Sequence, residues 1–165
     1  MPSTRGESRR SIKNQWTSPD GAPRPFRELV LDYNGTVALD GLLLPGIGGR
    51  LRKLSKFLKI SVLTADTFGK AERELKELPV EVLIIRRGRD KADFISKRNP
   101  DLTIAIGNGR NDMPMLAAAG LGIAVIGPEG AAGELMSSAD VVVTHIHHAL
   151  DLIIHPLRLK AVLRD

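Results

Sequence analysis

The sequence contains no cysteine and few aromatic residues. Its 165 residues include one tryptophan, one tyrosine and four phenylalanines. The absence of cysteine excludes disulfides and thiolate metal sites, and it is consistent with the reducing cytoplasm, the compartment that we predict. Because only 4% of the residues are aromatic, the core must be built from leucine, isoleucine, valine and alanine.

Long apolar runs are also missing. No segment has the roughly 20 consecutive apolar residues that a membrane-spanning helix needs. The first ten residues, MPSTRGESRR, lack the apolar centre of a secretory signal. We therefore expect no membrane span, and the length is suited to one domain with a single core.

The net positive charge lies mainly at one end of the chain. Residues 1–25 carry +3 of the formal charge of +5 and show no apolar periodicity, so we predict a disordered basic tail followed by a folded domain over residues 26–165. The tail could be a nucleic-acid-binding arm or a non-functional extension. Charge alone is weak support for the arm, and we consider a nucleic-acid partner unlikely.

Short apolar segments alternate with segments of helical periodicity from residue 26 onward. The predicted strands cover residues 28–33, 60–63, 80–85, 102–106, 121–126 and 141–144. The predicted helices cover residues 46–58, 68–78, 90–98, 111–119, 131–138 and 147–154. This alternation predicts an α/β fold with a parallel, doubly wound sheet of six strands.

Polar side chains follow the first, second and fourth predicted strands. Asp32 and Thr36 follow the first strand, Thr64 the second, and Asn108 and Asp112 the fourth. In an open α/β sheet, ligands bind outside the carboxyl ends of the strands, so these side chains could meet. Carboxylate, hydroxyl and amide groups suit a hard cation and a phosphoryl group.

Each segment also has a simpler interpretation. Asp32 can act as a carboxylate nucleophile, with Gly35 allowing a close backbone approach, but DYNGT can equally be a strand followed by an Asn-Gly turn. Similarly, the residues after Thr64 can simply cap the next helix through Asp66 or Thr67.

Lys91 and the loop GNGRND also have both a functional and a structural interpretation. Lys91 lies in the first turn of a predicted helix, where the helix dipole disfavours a cation, which favours a functional role over a solvated surface position. The loop can supply Mg²⁺ ligands through amide and carboxylate oxygens, or it can be a turn in which Asn111 caps the helix.

Taken together, these motifs resemble the haloacid-dehalogenase superfamily of phosphotransferases over residues 26–165. Members carry Asp-x-Asp-x-Thr after the first strand, Ser or Thr after the second, Lys upstream of the fourth and Gly-Asp-Gly-x-x-Asp after the fourth. The segments DYNGT, TADT and GNGRND look like those of the catalytic core of P-type ATPases. The resemblance implies a Rossmann-like three-layer fold and a soluble, stand-alone relative of that core.

The resemblance also implies Mg²⁺ as cofactor and a phosphohydrolase activity through an aspartyl-phosphate. The catalytic residues would be Asp32, Asn34, Thr64 and Lys91. The phosphate-binding residues would be Gly35, Thr36, Thr64, Ala65 and Lys91. The metal would be held by Asp32, Asn34 through its backbone carbonyl, Asn108 and Asp112.

Two positions depart from the pattern of the superfamily. Asn34 replaces the usual second Asp, and an amide cannot exchange a proton as a general acid or base. Asn108 replaces the first Asp of the last motif, so the metal site loses one negative charge. We therefore expect slow turnover. The alternative is a catalytically silent domain that binds a phosphorylated ligand or protein partner.

The spacing of the motifs leaves no room for a cap domain. Thr36 and Thr64 are separated by 27 residues, and Thr64 and Lys91 by 26, which a flap at residues 37–45 and the predicted helices and strands use up. By analogy with the superfamily, the open site takes a phosphorylated macromolecule, or a neighbouring subunit closes it over a small molecule. For that case we predict a homo-oligomer with the apolar flap residues 42–44 at or near the interface.

Two features stay outside this interpretation. A histidine cluster comprises His145, His147 and His148; a metal site there is conceivable, but the signal is compositional and lies after the last strand, at the expected sheet edge. Glu129 and Gly130 can line the rim of the site or simply begin a helix. An RNA- or membrane-surface-associated protein that uses its basic tail is a further rival interpretation.

Overall fold

The computed structural model describes residues 26–66 and 69–163. The predicted tail, Thr67 and Phe68 lie outside the described residues, so the tail stays a prediction. Six strands form one sheet, and every neighbouring pair is parallel; their order across the sheet is β5 (Glu81–Ile84), β4 (Lys59–Thr64), β1 (Glu28–Asp32), β6 (Thr103–Gly107), β7 (Leu121–Val125) and β8 (Val141–Val143). The predicted α/β fold with a six-stranded parallel sheet is therefore confirmed. None of the described helices is long and apolar enough to cross a membrane.

The strands and helices alternate along the chain as expected. The strands of the large sheet are β1 (Glu28–Asp32), β4 (Lys59–Thr64), β5 (Glu81–Ile84), β6 (Thr103–Gly107), β7 (Leu121–Val125) and β8 (Val141–Val143). The helices are α1 (Ile47–Leu54), α2 (Lys70–Leu75), α3 (Gly88–Ser96), α4 (Met113–Ala118), α5 (Ile146–Ile154) and α6 (Pro156–Leu163). A separate hairpin pairs β2 (Ala38–Leu39) with β3 (Leu42–Leu43).

The sheet separates two apolar layers because successive side chains of a strand point to opposite faces. On one face Leu29 and Leu31 of β1 pack in a cluster with Leu51 of α1 and Leu150 of α5. On the other face Val30 lies in a second cluster with residues of α3 and α4. Strands buried on both faces explain the nearly continuous apolar runs of the sequence.

The hairpin is the predicted flap, and its turn has the expected geometry. Asp40 and Gly41 both have positive φ, 52° and 82°, which is the conformation that two-residue hairpin turns require. The hydroxyl of the buried Tyr33 donates a hydrogen bond to the Gly41 carbonyl at 2.9 Å. The flap is thus joined to the chain immediately after Asp32.

Several helix predictions differ from the structure. The predicted helices over residues 46–58 and 68–78 end earlier, at Leu54 and Leu75, and a 3-10 helix over Arg110–Asp112 precedes α4, where one helix over residues 111–119 was expected. Residues 131–138 do not form an α-helix: a 3-10 helix covers Gly133–Ser138, and the Leu135 amide donates to the Ala132 carbonyl at 2.9 Å, the three-residue spacing of that helix type. Helix α3 begins at Gly88 with Arg87 at the N-cap, not at Asp90. Helix α6 was not predicted, because Pro156 at its start follows α5 without a separating loop.

Candidate active site

Most of the buried polar side chains of the protein meet at the carboxyl edge of the sheet. Eight polar or charged residues are buried among those the structure describes. Six of them are residues that the sequence singles out, and they are at most 9% exposed: Asp32, Thr36, Thr64, Lys91, Asn108 and Asp112. Because a polar group is stable in a protein interior only when it has partners, this cluster must be held by its own interactions.

The Lys91 ammonium lies at the centre of the cluster and joins two of the strand ends. Its Nζ donates to Asp32 Oδ1 and to Asp112 Oδ1, both at 2.7 Å. Burial opposes the charge on Lys91, but the two carboxylates outweigh it and raise the pKa of Lys91 above its ordinary value. The first turn of a helix is unfavourable for an isolated cation, but here the contacts with Asp32 and Asp112 stabilise Lys91 in that position.

The Asp32 carboxylate is the group most suited to nucleophilic attack. Burial and the nearby Asp112 carboxylate raise the pKa of Asp32 to about 6, whereas Lys91 and the Thr36 hydroxyl act in the opposite direction. The carboxylate is therefore mainly ionised at neutral pH, as a nucleophile must be. With Oδ1 bound to Lys91, the second oxygen faces the Thr36 hydroxyl at 3.2 Å.

The Asn108 amide is fixed in one orientation. The Thr36 hydroxyl lies 3.2 Å from Asn108 Oδ1, and Asn108 Nδ2 donates to the Gly130 carbonyl at 3.1 Å. A Cβ atom on Gly35, which has φ of 78°, would lie 2.3 Å from Asn108 Nδ2. Only glycine therefore fits between the β1 loop and the amide.

Asp112 organises the loop that carries Asn108. Its Oδ2 accepts the backbone amides of Asn108 at 3.1 Å and Gly109 at 3.0 Å, while Oδ1 accepts Lys91. A Cβ atom on Gly107 would lie 2.6 Å from the Asp112 carboxyl carbon, so the loop can close this tightly only with glycine at that position.

The oxygen atoms around Thr36 fit a hard divalent cation. Asp32 Oδ2 and Asn108 Oδ1 both lie 3.2 Å from the Thr36 hydroxyl, which has one proton and can donate to only one of them at a time. The oxygen that does not receive this proton keeps a lone pair for another partner. Carboxylate and amide oxygens are both ligand types that bind Mg²⁺ in proteins. Both oxygens of Asp112 already accept hydrogen bonds, so its predicted role as a metal ligand stays a prediction.

Thr64 ends β4 beside this centre. Its hydroxyl oxygen accepts the Asp66 amide at 3.1 Å, which leaves the hydroxyl proton available for a ligand. Asp66 in turn accepts the Ala71 amide in the first turn of α2 at 3.1 Å, although the N-cap of this helix is Gly69 and not Asp66. Asp66 thus contacts the start of α2, and the role of Thr64 at the site stays a prediction.

An open cleft of about 450 Å³ adjoins the exposed Asn34 side chain. Its walls are formed by Asn34, Asp40, Gly41, Ala65, Asp66, Lys70 and Glu129. The sequence indicated Asn34, Ala65 and the rim position of Glu129, but it did not place Asp40 or Lys70 at the site. Spacing alone does not show that the flap turn and α2 meet, although the Lys70 ammonium lies 3.4 Å from the Asp40 carbonyl.

The histidine cluster lies at the start of α5, after the edge strand β8. The His147 amide donates to His145 Nδ1 at 3.1 Å, and His147 Nε2 contacts the Pro45 carbonyl at 2.7 Å. These contacts cap α5 and attach it to the end of the flap. Within residues 26–66 and 69–163, no three acidic, histidine or cysteine side chains form a metal-binding group.

The sequence of this chain matches a known protein family. The sequence model of a family described as haloacid dehalogenase-like hydrolase matches residues 54–149, more than half of the chain. The protein belongs to this family. Helix α3 with Lys91 and the loop with Asn108 and Asp112 lie inside the match, whereas Asp32 lies upstream of it.

Two curated proteins are similar to this chain in sequence. An uncharacterized protein of Methanocaldococcus jannaschii is 51% identical over 72 residues, which cover 43% of this chain and 77% of the relative. The potassium-transporting ATPase ATP-binding subunit of Deinococcus radiodurans is 32% identical over 111 residues, 65% of this chain. Because the match spans only 16% of that subunit, it is a similarity to one part of the pump.

The fold is shared with solved phosphatase structures. One is 3-deoxy-D-manno-octulosonate 8-phosphate phosphatase from Moraxella catarrhalis, in complex with a magnesium ion, a phosphate ion and a KDO molecule. The two proteins are 16% identical with a TM-score of 0.68, and the alignment covers 91% of each chain. At this identity, the likeness concerns the fold alone.

Proposed function

We propose that this protein is a Mg²⁺-dependent phosphohydrolase in which Asp32 is the nucleophile. The observation that carries the proposal is the buried Lys91 ammonium held between the Asp32 and Asp112 carboxylates at 2.7 Å. It supports the proposal because such a cation both balances the buried acids and can face the oxygens of a phosphoryl group. Membership in a hydrolase family is consistent with this chemistry.

The reaction has two displacements. In the first, an Asp32 oxygen attacks phosphorus, the bond to the leaving oxygen breaks, and an aspartyl-phosphate forms. In the second, water attacks phosphorus, the Asp32 oxygen leaves, and inorganic phosphate is released. Dividing one difficult displacement into two easier ones is the advantage of a covalent intermediate.

Other residues of the cluster hold the phosphoryl group. The Thr64 hydroxyl proton and the Lys91 ammonium donate to its oxygens, and Ala65, which lines the cleft, lies beside it. The Gly35 amide already donates to the Ala38 carbonyl at 2.8 Å, so Gly35 contributes by allowing the close approach of the backbone. The Thr36 hydroxyl fixes Asp32 and Asn108 relative to one another.

Asp32 Oδ2, Asn108 Oδ1 and the Asn34 carbonyl would hold Mg²⁺, with Asp112 completing the charge of the site. The bound ion would neutralise charge on the phosphoryl oxygens during transfer. One of the Moraxella structure's bound ions is magnesium, which supports this choice of metal. With an amide at Asn108, we propose that the site binds Mg²⁺ weakly.

Asn34 limits the rate of the second displacement. It lies exposed at the cleft, where its amide can orient a water or leaving group but can neither take nor give a proton. General acid–base catalysis is typically worth about a hundred- to ten-thousand-fold in rate. We propose slow turnover and a comparatively persistent phosphoenzyme.

The substrate is a phosphorylated small molecule or macromolecule that reaches Asp32 from the open carboxyl edge of the sheet. If it is small, a second copy of the chain would exclude water from the site. Leu42 on the flap is 61% exposed and offers an apolar contact for that copy. We propose that the protein acts in the cytoplasm, because a chain without cysteine is consistent with that reducing compartment.

The test compares Asp32→Asn with a matched substitution away from the site. We expect Asp32→Asn to abolish hydrolysis of p-nitrophenyl phosphate in the presence of Mg²⁺, whereas Asp101→Asn, an exposed position before β6, retains it. Fluorine NMR should show beryllium fluoride bound to the wild type and absent from Asp32→Asn. Substantial activity in Asp32→Asn would refute the nucleophile. Beryllium fluoride binding without any product release would instead favour a silent domain that binds phosphorylated ligands.

A further inference from the structure

Three arginines follow β5 on the same edge of the sheet as the candidate active site. Arg86, Arg87 and Arg89, here called the arginine rim, are all exposed. The residue before them, Ile85, donates its amide to the Thr64 carbonyl at 2.8 Å. A Cβ atom on Gly88, within the rim, would lie 2.4 Å from the Asn111 carbonyl oxygen. The rim is therefore packed between the two strand ends that supply Thr64 and Asn108.

No acidic side chain that the structure describes pairs with the arginine rim. Among the residues that the structure describes, none of the three guanidinium groups forms an ion pair or a side-chain hydrogen bond. They also surround the first turn of α3, where the helix dipole makes positive charge unfavourable. In contrast, the nearby Arg110 lies 3.2 Å from the Glu134 carboxylate. Three unpaired cations beside a reaction centre are free to bind an external anion.

The opposite side of the site has the opposite charge. The cleft beside Asn34 is lined by Asp40, Asp66 and Glu129, and Lys70 is the single cation among its described lining residues. An anionic group attached to the substrate is therefore repelled from that side and attracted to the arginine rim. The substrate would lie across the site in one orientation.

We propose that the arginine rim is a second anion subsite, which selects phosphate monoesters that carry another phosphate group on the same small molecule. This inference rests on the proposed function, since it concerns the substrate of the same site. Guanidinium groups bind phosphate through paired hydrogen bonds in a fixed fork. The phosphate at Asp32 is the one removed, and the second phosphate stays on the product.

A small bisphosphate fits the rim better than a nucleic acid does. A long polyanion would have to pass the acidic side of the cleft, where Asp40, Asp66 and Glu129 lie. Proteins that bind single-stranded nucleic acids also use aromatic side chains for base stacking. The single tyrosine near the site, Tyr33, is buried and cannot serve as such a surface.

The test compares hexose bisphosphate with hexose monophosphate as substrates of the full-length protein. The rim variant is Arg86→Gln/Arg87→Gln/Arg89→Gln. The control, Arg52→Gln/Lys53→Gln/Lys56→Gln, removes the same charge from exposed positions at the end of α1. We expect the wild type and the control to prefer the bisphosphate by about tenfold or more in kcat/KM, as for charge-assisted pairs. The rim variant should lose that preference while its activity on p-nitrophenyl phosphate stays within about threefold.

Several results would overturn the subsite. The first is a wild type with equal kcat/KM for both hexose phosphates. The second is a rim variant that still prefers the bisphosphate, and the third is a control variant that loses this preference as much as the rim variant does. Turnover of a 5′-phosphorylated oligonucleotide more than tenfold better than the bisphosphate would favour nucleic acid instead. If no phosphate ester is hydrolysed, the proposed function fails, but calorimetry still tests the subsite. The hexose bisphosphate should then bind about tenfold more tightly than the hexose monophosphate, and only in proteins with an intact rim.

Discussion

Replacing Lys91 by methionine should destabilise the protein by an amount that increases with pH. The substitution keeps the length of the side chain but removes the ammonium that contacts both Asp32 and Asp112 at 2.7 Å. Two buried carboxylates are then left without a counter-ion. Removing one partner of a buried ion pair typically costs about 3–5 kcal/mol, and we expect a loss of this size in the free energy of unfolding at pH 8.

The pH dependence follows from the carboxylate that remains. In the wild type, the pKa of Asp32 is raised from 3.8 to about 6, so the folded protein binds this proton more tightly than the unfolded chain. The stability that Asp32 contributes is therefore present at low pH and is lost as pH rises through about 6. Without Lys91, which lowers this pKa, the loss must extend to higher pH. For one proton, the penalty can grow by at most about 1.4 kcal/mol per pH unit.

The assay is urea denaturation between pH 5.5 and 8 in the presence of EDTA, because a bound cation would replace part of the missing charge. Lys97→Met is the matched control, since Lys97 is exposed at the end of the same helix. The control should lie within about 0.5 kcal/mol of the wild type at every pH. If Lys91→Met were as stable as Lys97→Met at pH 8, or if its penalty did not change with pH, the account of the buried centre would be wrong.

Four further substitutions test other parts of the site. Asn108→Asp restores a carboxylate beside Asp32 Oδ2 and should tighten Mg²⁺ binding in a calorimetric titration, because ligand charge sets much of the affinity; unchanged affinity would contradict the metal site. Asn34→Asp should accelerate dephosphorylation in a single-turnover assay with an aryl phosphate; fast wild-type turnover without acceleration would mean that another group transfers the proton. Tyr33→Phe removes the hydrogen bond to the Gly41 carbonyl and should lower the free energy of unfolding by about 0.5–1.5 kcal/mol, with faster amide exchange in the flap as the local signature. Leu42→Glu should dissociate a homo-oligomer in light scattering, and a monomeric wild type would favour a macromolecular substrate.

The sequence was sufficient for the sheet and for the proximity of several polar residues. Buried parallel strands leave a strong pattern, and polar residues directly after them can lie only at the carboxyl edge. Consequently Asp32 and Asn108 both contact the Thr36 hydroxyl, and Thr64 follows Leu63, the neighbour of Asp32 in the sheet; their function stays a prediction. Lys91 was also identified, since a cation in the first turn of a helix has no local advantage.

Features that depend on contacts between distant segments were not predictable. The Leu43 amide donates to the Glu74 carboxylate at 3.1 Å, which attaches the flap to α2. No local sequence pattern indicates that these two residues are in contact. The contact between the Lys70 ammonium and the Asp40 carbonyl likewise joins distant segments, and it adds residues to the cleft that spacing does not indicate. Residues 131–138 have helical periodicity, but apolar spacing does not distinguish an α-helix from the 3-10 helix that the structure has over Gly133–Ser138.

The same interactions hold the fold and prepare the chemistry. Asp32, Lys91 and Asp112 come from β1, α3 and the loop after β6, and their contacts fasten these segments to one another. Lys91 and Asp112 are nearly inaccessible to water and Asp32 is only slightly exposed, so under the proposed function the charges that stabilise the edge of the sheet would also face a bound phosphoryl group. An arrangement of this kind resists substitution at Lys91 and Asp112, whereas exposed positions such as Asn34 and the arginine rim can change without unfolding the protein. Differences in rate and substrate choice among related chains are therefore expected to arise at those exposed positions.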